Sequence, residues 1–163
     1  MNPEPAVLNE FFFYQVGNGQ LIGSENPFVY AKSDEMLRAM IEHFGIRVLM
    51  SLVPVNAEFE YSNVTHYQYP LSGHRVPSID EVRPIISVLS AHLGRGEVIW
   101  CHCERGLDRT GSILGGLLTC QGLSADEATH EILSRFPDSR QSPRMRNYWE
   151  PYEKLIGLLA NNV

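Results

Sequence analysis

The sequence predicts one α/β domain of three layers, with a central, mostly parallel sheet of about four to five strands and helices on both faces. Two observations support this fold class. The chain has 163 residues, the size of one domain that can bury a full core. Apolar runs of strand length alternate with helical patterns, and no repeat, linker or low-complexity tract separates them. We therefore expect residues 1–163 to form one domain.

The first half of the chain is expected to hold a hairpin, a helix and two further strands. A glycine-rich turn at 17–19, with apolar segments on both sides, predicts the hairpin. No helix follows these glycines directly, so they are not a dinucleotide-binding motif. Ser33 is expected to cap a helix with an apolar stripe on one face. Strands are predicted over 46–53 and 65–69.

The second half is expected to hold one strand, residues 97–102, and four helices. The first of these covers 79–93, with a capping box formed by Ser78 and Glu81. An apolar stretch at 110–120 is long enough for a buried helix. The starts of the last two helices are indicated by a capping box at Ser124 and Glu127 and by the pair Ser142-Pro143.

The segment that joins the strand at 97–102 to the next helix carries the candidate chemistry. Cys103 and Arg109 are separated by five residues, and a loop of this length can turn its backbone N–H groups inward as an anion nest at a helix N-terminus. A phosphate held there would bring its phosphorus to Cys103. The residues expected to bind the phosphate are Glu104, Arg105, Gly106, Leu107, Asp108 and Arg109.

Three features of this segment favour a reactive cysteine. The helix N-terminus, the imidazole of His102 and the guanidinium of Arg109 all stabilise a thiolate at Cys103. Arg109 has a planar fork that holds two phosphate oxygens, and Gly106 lets the loop turn tightly. The alternative is a free cysteine in a strand-to-helix turn beside an unrelated arginine. The order of strand, loop and helix favours phosphate binding.

The other cysteines predict neither a disulfide framework nor a metal site. The chain has three cysteines, too few for a disulfide framework in a domain of this size. Cys101, His102 and Cys103 are too crowded for a convincing zinc site, and no second ligand pair follows. No metal and no cofactor are therefore expected. A buried strand cysteine is the preferred interpretation of Cys101, and capture of an oxidised Cys103 sulfur is the alternative.

The segment 102–110 resembles the signature of cysteine-dependent protein tyrosine phosphatases, and its place late in a short chain resembles the small atypical dual-specificity phosphatases. Low-molecular-weight tyrosine phosphatases carry their loop near the N-terminus and fit poorly. The resemblance implies one phosphatase-like catalytic domain in which Cys103 attacks phosphorus and water hydrolyses the phosphocysteine. It also implies that the Thr110 hydroxyl assists departure of the thiolate. Gln141 matches a polar position of related phosphatases and is kept outside the catalytic set.

One departure from this family concerns the general acid. Small dual-specificity phosphatases carry an aspartate between two prolines in a loop before the cysteine. The corresponding loop here, residues 69–77, contains no carboxylate, and Gly73 or Ser72 stands at the expected position. General-acid assistance is worth about 10²- to 10⁴-fold in rate, so the source of the proton decides how efficient such an enzyme can be.

Asp108 is the first candidate to replace the missing acid. The ending Asp108-Arg109-Thr110 resembles that of myotubularins and Sac-type phosphoinositide phosphatases, which implies a proton donated from inside the loop. The alternative is that Asp108 pairs with a neighbouring arginine and only shapes the loop. His74 is the second candidate, because an imidazolium can donate a proton near neutral pH. An exposed loop histidine is the commoner case.

Charge limits the partners that the chain can be expected to bind. The net charge of −6 argues against nucleic acid. No apolar run has membrane-spanning length and the first residues lack a basic signal region, so we expect a cytoplasmic protein without stable membrane insertion. A local basic rim could still receive a phosphoinositide or inositol phosphate, although a solvated helix face is preferred for Arg135, Arg144 and Arg146. The rim consists of His74, Arg75, Arg105, Arg135, Arg140, Arg144 and Arg146.

Three functions remain open from the sequence. The first is a phosphomonoester hydrolase, a protein tyrosine or dual-specificity phosphatase with phosphorylated proteins as substrates, or a phosphatase of phosphoinositides or inositol phosphates. The second is a phosphate-binding pseudophosphatase module that lacks an efficient general acid. The third is a redox thiol protein that uses Cys101 and Cys103. A cysteine, arginine and threonine at the expected positions favour the first.

Overall fold

A sheet of five strands forms the centre of the computed structural model, which describes residues 2–140 and 142–162, without the side chains of Met145, Arg146 and Asn162. The strand order is β1-β2-β5-β3-β4. β1 is antiparallel to β2, as expected for a hairpin, and the other neighbours are parallel. The strands are β1 Phe13–Val16, β2 Leu21–Ser24, β3 Ile46–Ser51, β4 Thr65–Gln68 and β5 Val98–His102.

Helices cover both faces of the sheet, so the predicted three-layer α/β fold is confirmed. Helix α1 and the 3-10 turn at 6–10 pack on one face, around Trp100. Helices α2 to α5 lie on the other face, where α3 contacts β2, β5 and the three other helices. The described helices are α1 Ser33–Phe44, α2 Ile79–Gly94, α3 Asp108–Cys120, α4 Ala125–Arg135 and α5 Pro143–Asn162.

Local signals account for most of the helix starts. Capping boxes are present at Ser78 with Glu81 and at Ser124 with Glu127. The expectation that Ser33 caps α1 is wrong by one position. Lys32 is the N-cap residue, because its carbonyl accepts the first helical hydrogen bond, from the N–H of Met36, which leaves Ser33 as the first helical residue.

Helix α3 begins two residues earlier than the apolar pattern predicts. Leu107 is the N-cap residue, and its carbonyl accepts a hydrogen bond from the N–H of Gly111. This start places Asp108 and Arg109 in the first turn, at the positive end of the helix dipole. The polar residues in front of the apolar stretch thus belong to both the loop and the helix.

Glycines in α3 let the last two helices approach the candidate site. A Cβ on Gly111 would lie 3.0 Å from Phe136, and one on Gly115 would overlap Ile156 of α5. Because both positions are glycine, α5 packs directly on α3. This packing brings Tyr148 and Tyr152 of α5, together with the 3-10 turn Asp138–Arg140, to the N-terminal end of α3.

Candidate active site

Cys103 follows the carboxyl end of β5, between the ends of β2 and β3, and is 2% exposed. The N–H of Gly106 donates a hydrogen bond to its Sγ atom at 3.3 Å. A backbone donor aimed at sulfur stabilises the thiolate over the thiol, as does the N-terminus of α3 directly behind the loop. The sulfur therefore lies where the sequence predicts a nucleophile.

Two contacts hold the loop between Cys103 and Arg109 in shape. The hydroxyl of Tyr14, on β1, donates a 2.6 Å hydrogen bond to the carbonyl of Gly106, and the N–H of Asn26 donates to the carbonyl of Glu104 at 3.0 Å. Burial raises the pKa of Tyr14 far above its ordinary value, so the phenol keeps the proton that it donates. The sequence carries no signal for this contact.

Gly106 is required by the fold of the loop. Its φ angle of +78° lies in the left-handed region, which disfavours side chains. A Cβ at this position would also overlap the backbone of Ser24 and Glu25. The loop thus rests directly on the chain that follows β2.

Arg109 connects the loop to the segment 69–77. Its Nη1 atom donates to the carbonyl of Leu71 at 3.0 Å, and its Nη2 atom lies 3.9 Å from a carboxylate oxygen of Glu104. A Cβ on Gly73 would lie only 3.2 Å from Nη2. Gly73, one of the two positions where the family aspartate is expected, is thus packed against the Arg109 guanidinium, and a glycine fits there.

Asp108 pairs with Arg140, with 2.6 Å between Oδ1 and Nη2. Burial raises the pKa of the Asp108 carboxyl, while the charges of Arg140, Arg109 and Arg105 act in the opposite direction. The sequence left open that Asp108 pairs with an arginine and only shapes the loop. The structure contains this pairing. The pairing does not exclude the acid role, because Asp108 is among the residues that line the cavity above Cys103.

A cavity of about 230 Å³ opens above the sulfur. Its wall combines cations from the loop and the 3-10 turn with two tyrosines of α5. Arg140 lies over the ring of Tyr148, with 5.5 Å from its guanidinium carbon to the ring centroid. The lining residues are Gly73, Cys103, Glu104, Arg105, Leu107, Asp108, Arg109, Arg140, Tyr148 and Tyr152. Sequence reasoning missed both tyrosines, which read as ordinary residues of a long amphipathic helix.

His102 supports the loop without carrying a charge. Its Nδ1 atom donates to the carbonyl of Cys103 at 3.1 Å, and its Nε2 atom accepts from Ser51 Oγ at 2.6 Å. Ser51 Oγ in turn accepts from His66 Nε2 at 2.7 Å. Burial lowers the pKa of His102 to about 4, so the imidazole is neutral near pH 7. Support of Cys103 by His102 therefore comes from a neutral ring that fixes the loop backbone.

Thr110 and Cys101 lie together behind the loop, both fully buried. The Thr110 hydroxyl makes no hydrogen bond of regular geometry, although it lies near enough to the Cys101 thiol to lower the pKa of that thiol. Burial has the larger effect and raises the pKa of Cys101 well above its ordinary value. Cys101 is thus a buried, protonated strand cysteine, and Cys101, Cys103 and Cys120 are free thiols.

The second candidate for the acid lies outside the cavity wall. His74 is exposed, and its backbone N–H donates to the hydroxyl of Ser72 at 3.2 Å. Neither side chain is among the residues that line the cavity. Asp108 is thus better placed than His74 to reach a group bound above Cys103.

Four described residues of the predicted basic rim, His74, Arg75, Arg135 and Arg144, are not among the residues that line the cavity. Arg75 binds both carboxylate oxygens of Glu81, at 2.6 and 2.7 Å, and Arg135 pairs with Glu131 at 3.2 Å. Arg144 is exposed at the start of α5. Gln141 and the side chain of Arg146 lie outside the described residues. Of the predicted rim cations described by the structure, Arg105 and Arg140 line the cavity.

Neither a metal cluster nor a membrane span is found in the part of the chain that the structure describes. No group of three or more His, Cys, Asp or Glu side chains is arranged there to hold a metal ion. The described helices also include none that is both long enough and apolar enough to cross a bilayer.

The sheet, the loop from Cys103 to Arg109 and the helix behind it form a phosphatase domain of the protein tyrosine phosphatase type, with a fold like that of dual-specificity phosphatases. Residues 22–123 match the family Tc-R-P, the DSP-PTPase phosphatase of polymorphic toxin systems. This match covers more than half of the chain, and the chain belongs to that family.

Individual relatives agree with this assignment. Tyrosine-protein phosphatase CDC14 of Candida albicans is 26% identical over 101 residues, which cover 58% of this chain and 19% of CDC14. Among solved structures, Tk-PTP in its active form has a TM-score of 0.65 at 21% identity, covering 90% of this chain and 95% of its own. PTPMT1 in complex with PI(5)P has a TM-score of 0.62 at 13% identity, covering 91% and 98%. At these identities the two structures show the shared fold.

Proposed function

We propose that this protein hydrolyses phosphomonoesters through a phosphocysteine intermediate on Cys103. The observation that carries the proposal is the 3.3 Å hydrogen bond from the N–H of Gly106 to the Cys103 sulfur, at the base of a cavity that Arg109 also lines. This arrangement stabilises a thiolate and supplies a cation for the phosphoryl oxygens in one place.

In the first step the thiolate of Cys103 attacks phosphorus and the bond from phosphorus to the ester oxygen breaks. Arg109 binds the phosphoryl oxygens as charge shifts toward the leaving group. Asp108 donates its proton to the departing oxygen, so the alcohol or phenol leaves in neutral form. The products of this step are the free alcohol, phosphocysteine and the Asp108 carboxylate.

In the second step water attacks the phosphocysteine and the phosphorus–sulfur bond breaks. The Asp108 carboxylate accepts a proton from the attacking water, which restores the acid for the next turnover. Thr110 has the role that the family resemblance implies, in which its hydroxyl assists departure of the Cys103 thiolate. Inorganic phosphate leaves, and Cys103 returns as thiolate.

Two features support Asp108 as the acid. Asp108 is among the residues that line the cavity, and burial raises the pKa of its carboxyl group, which favours the protonated form that donation needs. The segment 69–77 also presents Gly73 to Arg109 where the family aspartate is expected. With no carboxylate in the segment 69–77, donation of the proton by Asp108, from inside the loop, is consistent with this geometry.

For the substrate, the proposal favours phosphorylated side chains of proteins, with phosphotyrosine first. Tyr148 and Tyr152 are among the residues that line the cavity containing Cys103, and an aromatic ring can pack against a tyrosine ring. Phosphoinositides or inositol phosphates are the second choice, because Arg105 and Arg140 line the same cavity and PTPMT1 was solved with PI(5)P. A reducing compartment such as the cytoplasm suits a catalytic thiolate.

A second function is favoured by one specific contact. Asp108 and Arg140 form a close ion pair, and a carboxylate held in this way cannot donate a proton. If that pair persists when a phosphate ester binds, the protein is a phosphate-binding pseudophosphatase module. Such a module binds phosphate esters tightly and releases no phosphate.

Hydrolysis of para-nitrophenyl phosphate tests the Cys103 nucleophile by itself, because its leaving group hardly needs an acid. Alkyl phosphates, whose leaving group needs a proton, then test whether Asp108 is free to donate one. We expect phosphate release by the wild type under reducing conditions and none by Cys103→Ser. Cys120→Ser is the matched control, since Cys120 is an exposed thiol at the far end of α3, and it should keep full activity. No release by the wild type would favour the binding module. Phosphate release from a panel of substrates then identifies the substrate class. The panel consists of phosphotyrosine and phosphothreonine peptides, phosphoinositides and inositol phosphates.

A further inference from the structure

Arg140 reaches the cavity from outside the phosphate-binding loop. It lies in the 3-10 turn Asp138–Arg140, between α4 and α5, and its side chain is 14% exposed. Its guanidinium is shared between the Asp108 carboxylate, at 2.6 Å, and the ring of Tyr148. It also lines the cavity that contains Cys103. A second guanidinium besides Arg109 thus faces the place where a phosphoryl group would bind.

The contact with Asp108 conflicts with the proton that Asp108 must donate. A guanidinium 2.6 Å from a carboxylate favours the charged form of that carboxylate. A general acid has to carry its proton when the ester bond breaks. The pair of Arg140 and Asp108 therefore has to separate before the first chemical step.

Resting on the phosphatase function proposed above, we infer that Arg140 exchanges partners during the reaction. It holds Asp108 until substrate enters, and it then leaves Asp108 to bind the phosphoryl group of the substrate beside Arg109. Arg140 is thus a binding residue for substrate and, through the exchange, a positioning residue for the acid.

Charge and geometry both favour this exchange. A phosphoryl dianion carries twice the charge of a carboxylate and presents oxygens that match the planar fork of arginine. The ring of Tyr148 can support the guanidinium in either arrangement through a cation–π contact. Arg140 therefore keeps one partner while it changes the other.

Departure of Arg140 changes the balance of charge around Asp108. The groups that face this carboxyl come from the loop, β1, the 3-10 turn and α5. With Arg140 on the phosphoryl group, burial and the nearby dianion both favour a protonated Asp108, which takes its proton from solvent and passes it to the leaving oxygen. The facing groups are Arg105, Arg109, Tyr14, Arg140, Tyr148 and Tyr152.

Binding of inorganic phosphate tests the exchange without any turnover. The parent is Cys103→Ser, which cannot form the intermediate, and phosphate affinity is measured by calorimetry. Arg140→Met should weaken phosphate binding by about tenfold, because one charged hydrogen-bonding partner is lost. Arg140→Lys keeps the charge and should recover part of the affinity. Arg135→Met is the matched control, since Arg135 pairs with Glu131 on α4, and it should bind phosphate as the parent does.

Titration of the Asp108 carboxyl by carbon-13 NMR gives the second readout. Phosphate should raise the pKa of Asp108 in the parent. In Arg140→Met this pKa should already be raised without phosphate, and added phosphate should shift it less. If Arg140 had only a structural role, Arg140→Met would neither raise the pKa of Asp108 in the absence of phosphate nor reduce the shift that phosphate causes.

The outcomes separate the inference from the proposed function. Parent and Arg140→Met proteins that are both folded and bind phosphate equally well would overturn the exchange and leave the phosphatase function standing. If Arg140→Met does not fold, Arg140→Lys replaces it: weaker phosphate binding than in the parent, together with a phosphate-induced rise in the pKa of Asp108, supports the exchange, and phosphate binding as tight as in the parent without any shift at Asp108 overturns it. A parent that binds no phosphate at all would contradict the proposed function and the exchange together.

Discussion

The hydroxyl of Tyr14 donates a 2.6 Å hydrogen bond to the carbonyl of Gly106, which joins the first strand to the middle of the phosphate-binding loop. The bond is fully buried. The N–H of Gly106 also donates a hydrogen bond to the sulfur of Cys103. The carbonyl of Gly106 therefore anchors the loop to β1, while its N–H contacts the sulfur. The hairpin thus helps to hold the nucleophile in place.

Removal of this support should weaken both stability and activity. Tyr14→Phe leaves the buried carbonyl of Gly106 without its donor, which costs about 1 to 3 kcal/mol of unfolding free energy. We expect a lower kcat/KM, because the N–H of Gly106 is then less firmly aimed at sulfur. Urea denaturation and hydrolysis of para-nitrophenyl phosphate measure the two effects. Tyr61→Phe, which removes an exposed 3.3 Å bond to Asp34, should change neither, and equal effects of the two substitutions would rule out the support role.

Gly106 and Gly96 form a natural comparison, because their φ angles are +78° and +77°. A Cβ on Gly96 has no atom within 4 Å, whereas one on Gly106 overlaps the backbone of Ser24. Gly96→Ala should therefore cost about 1 kcal/mol from its φ angle alone. Gly106→Ala should cost about 2 to 4 kcal/mol and abolish activity, since the clash adds to the strain.

Thermal and urea denaturation of the two glycine variants, with activity assays of each, give the comparison. A Gly106→Ala protein as stable and active as Gly96→Ala would show that the loop does not depend on its contact with the chain after β2.

The neutral His102 predicts a loss of stability in acid. Its pKa is about 4 in the folded protein and near 6.5 in an unfolded chain. As pH falls from about 6.5 toward 4, the unfolded state gains a proton that the folded state does not, so the unfolding free energy falls by up to ~3 kcal/mol. Burial lowers the pKa of His66 as well, which adds to the same trend.

Urea denaturation at several pH values between about 4 and 7 checks this prediction. His102→Asn should show a weaker pH dependence over that interval, because the titrating imidazole is gone. If the substitution leaves the slope unchanged, the acid sensitivity comes from groups other than His102.

The general acid is tested by the chemistry of the leaving group. Asp108→Asn should lower kcat/KM for alkyl phosphates by about 10²- to 10⁴-fold and kcat/KM for para-nitrophenyl phosphate far less, because kcat/KM reports the first step, in which only the alkoxide needs a proton. His74→Ala, an exposed position, should affect both substrates little. Equal losses on both substrates in Asp108→Asn would leave Asp108 with a structural role.

The sequence predicts the fold well because its signals are local. The hairpin turn, the two capping boxes and the alternation of strands with helices each involve residues close together in the chain, and all are found. The sequence brings Cys103 and Arg109 together for the same reason, since both belong to one short loop. The starts of α1 and α3 and the bounds of some other elements differ from the prediction, by one or two residues.

The surroundings of the nucleophile depend on contacts between distant segments. The Tyr14 bond to Gly106 spans 92 residues and the Arg140 pair with Asp108 spans 32. Both depend on how whole elements pack, in the second case on the close approach of α5 to α3 that Gly115 permits. The neutral state of His102 likewise follows from burial. No local pattern in the sequence carries this information.

Detection of the phosphocysteine tests the central claim most directly. Asp108→Asn mixed with para-nitrophenyl phosphate should accumulate the intermediate, because the first step hardly needs the acid while the second lacks its base. After acid quench, peptide mass spectrometry should find phosphate on Cys103, and none in Cys103→Ser. Release of nitrophenol without phosphate on Cys103, or phosphate on another residue, would contradict the account.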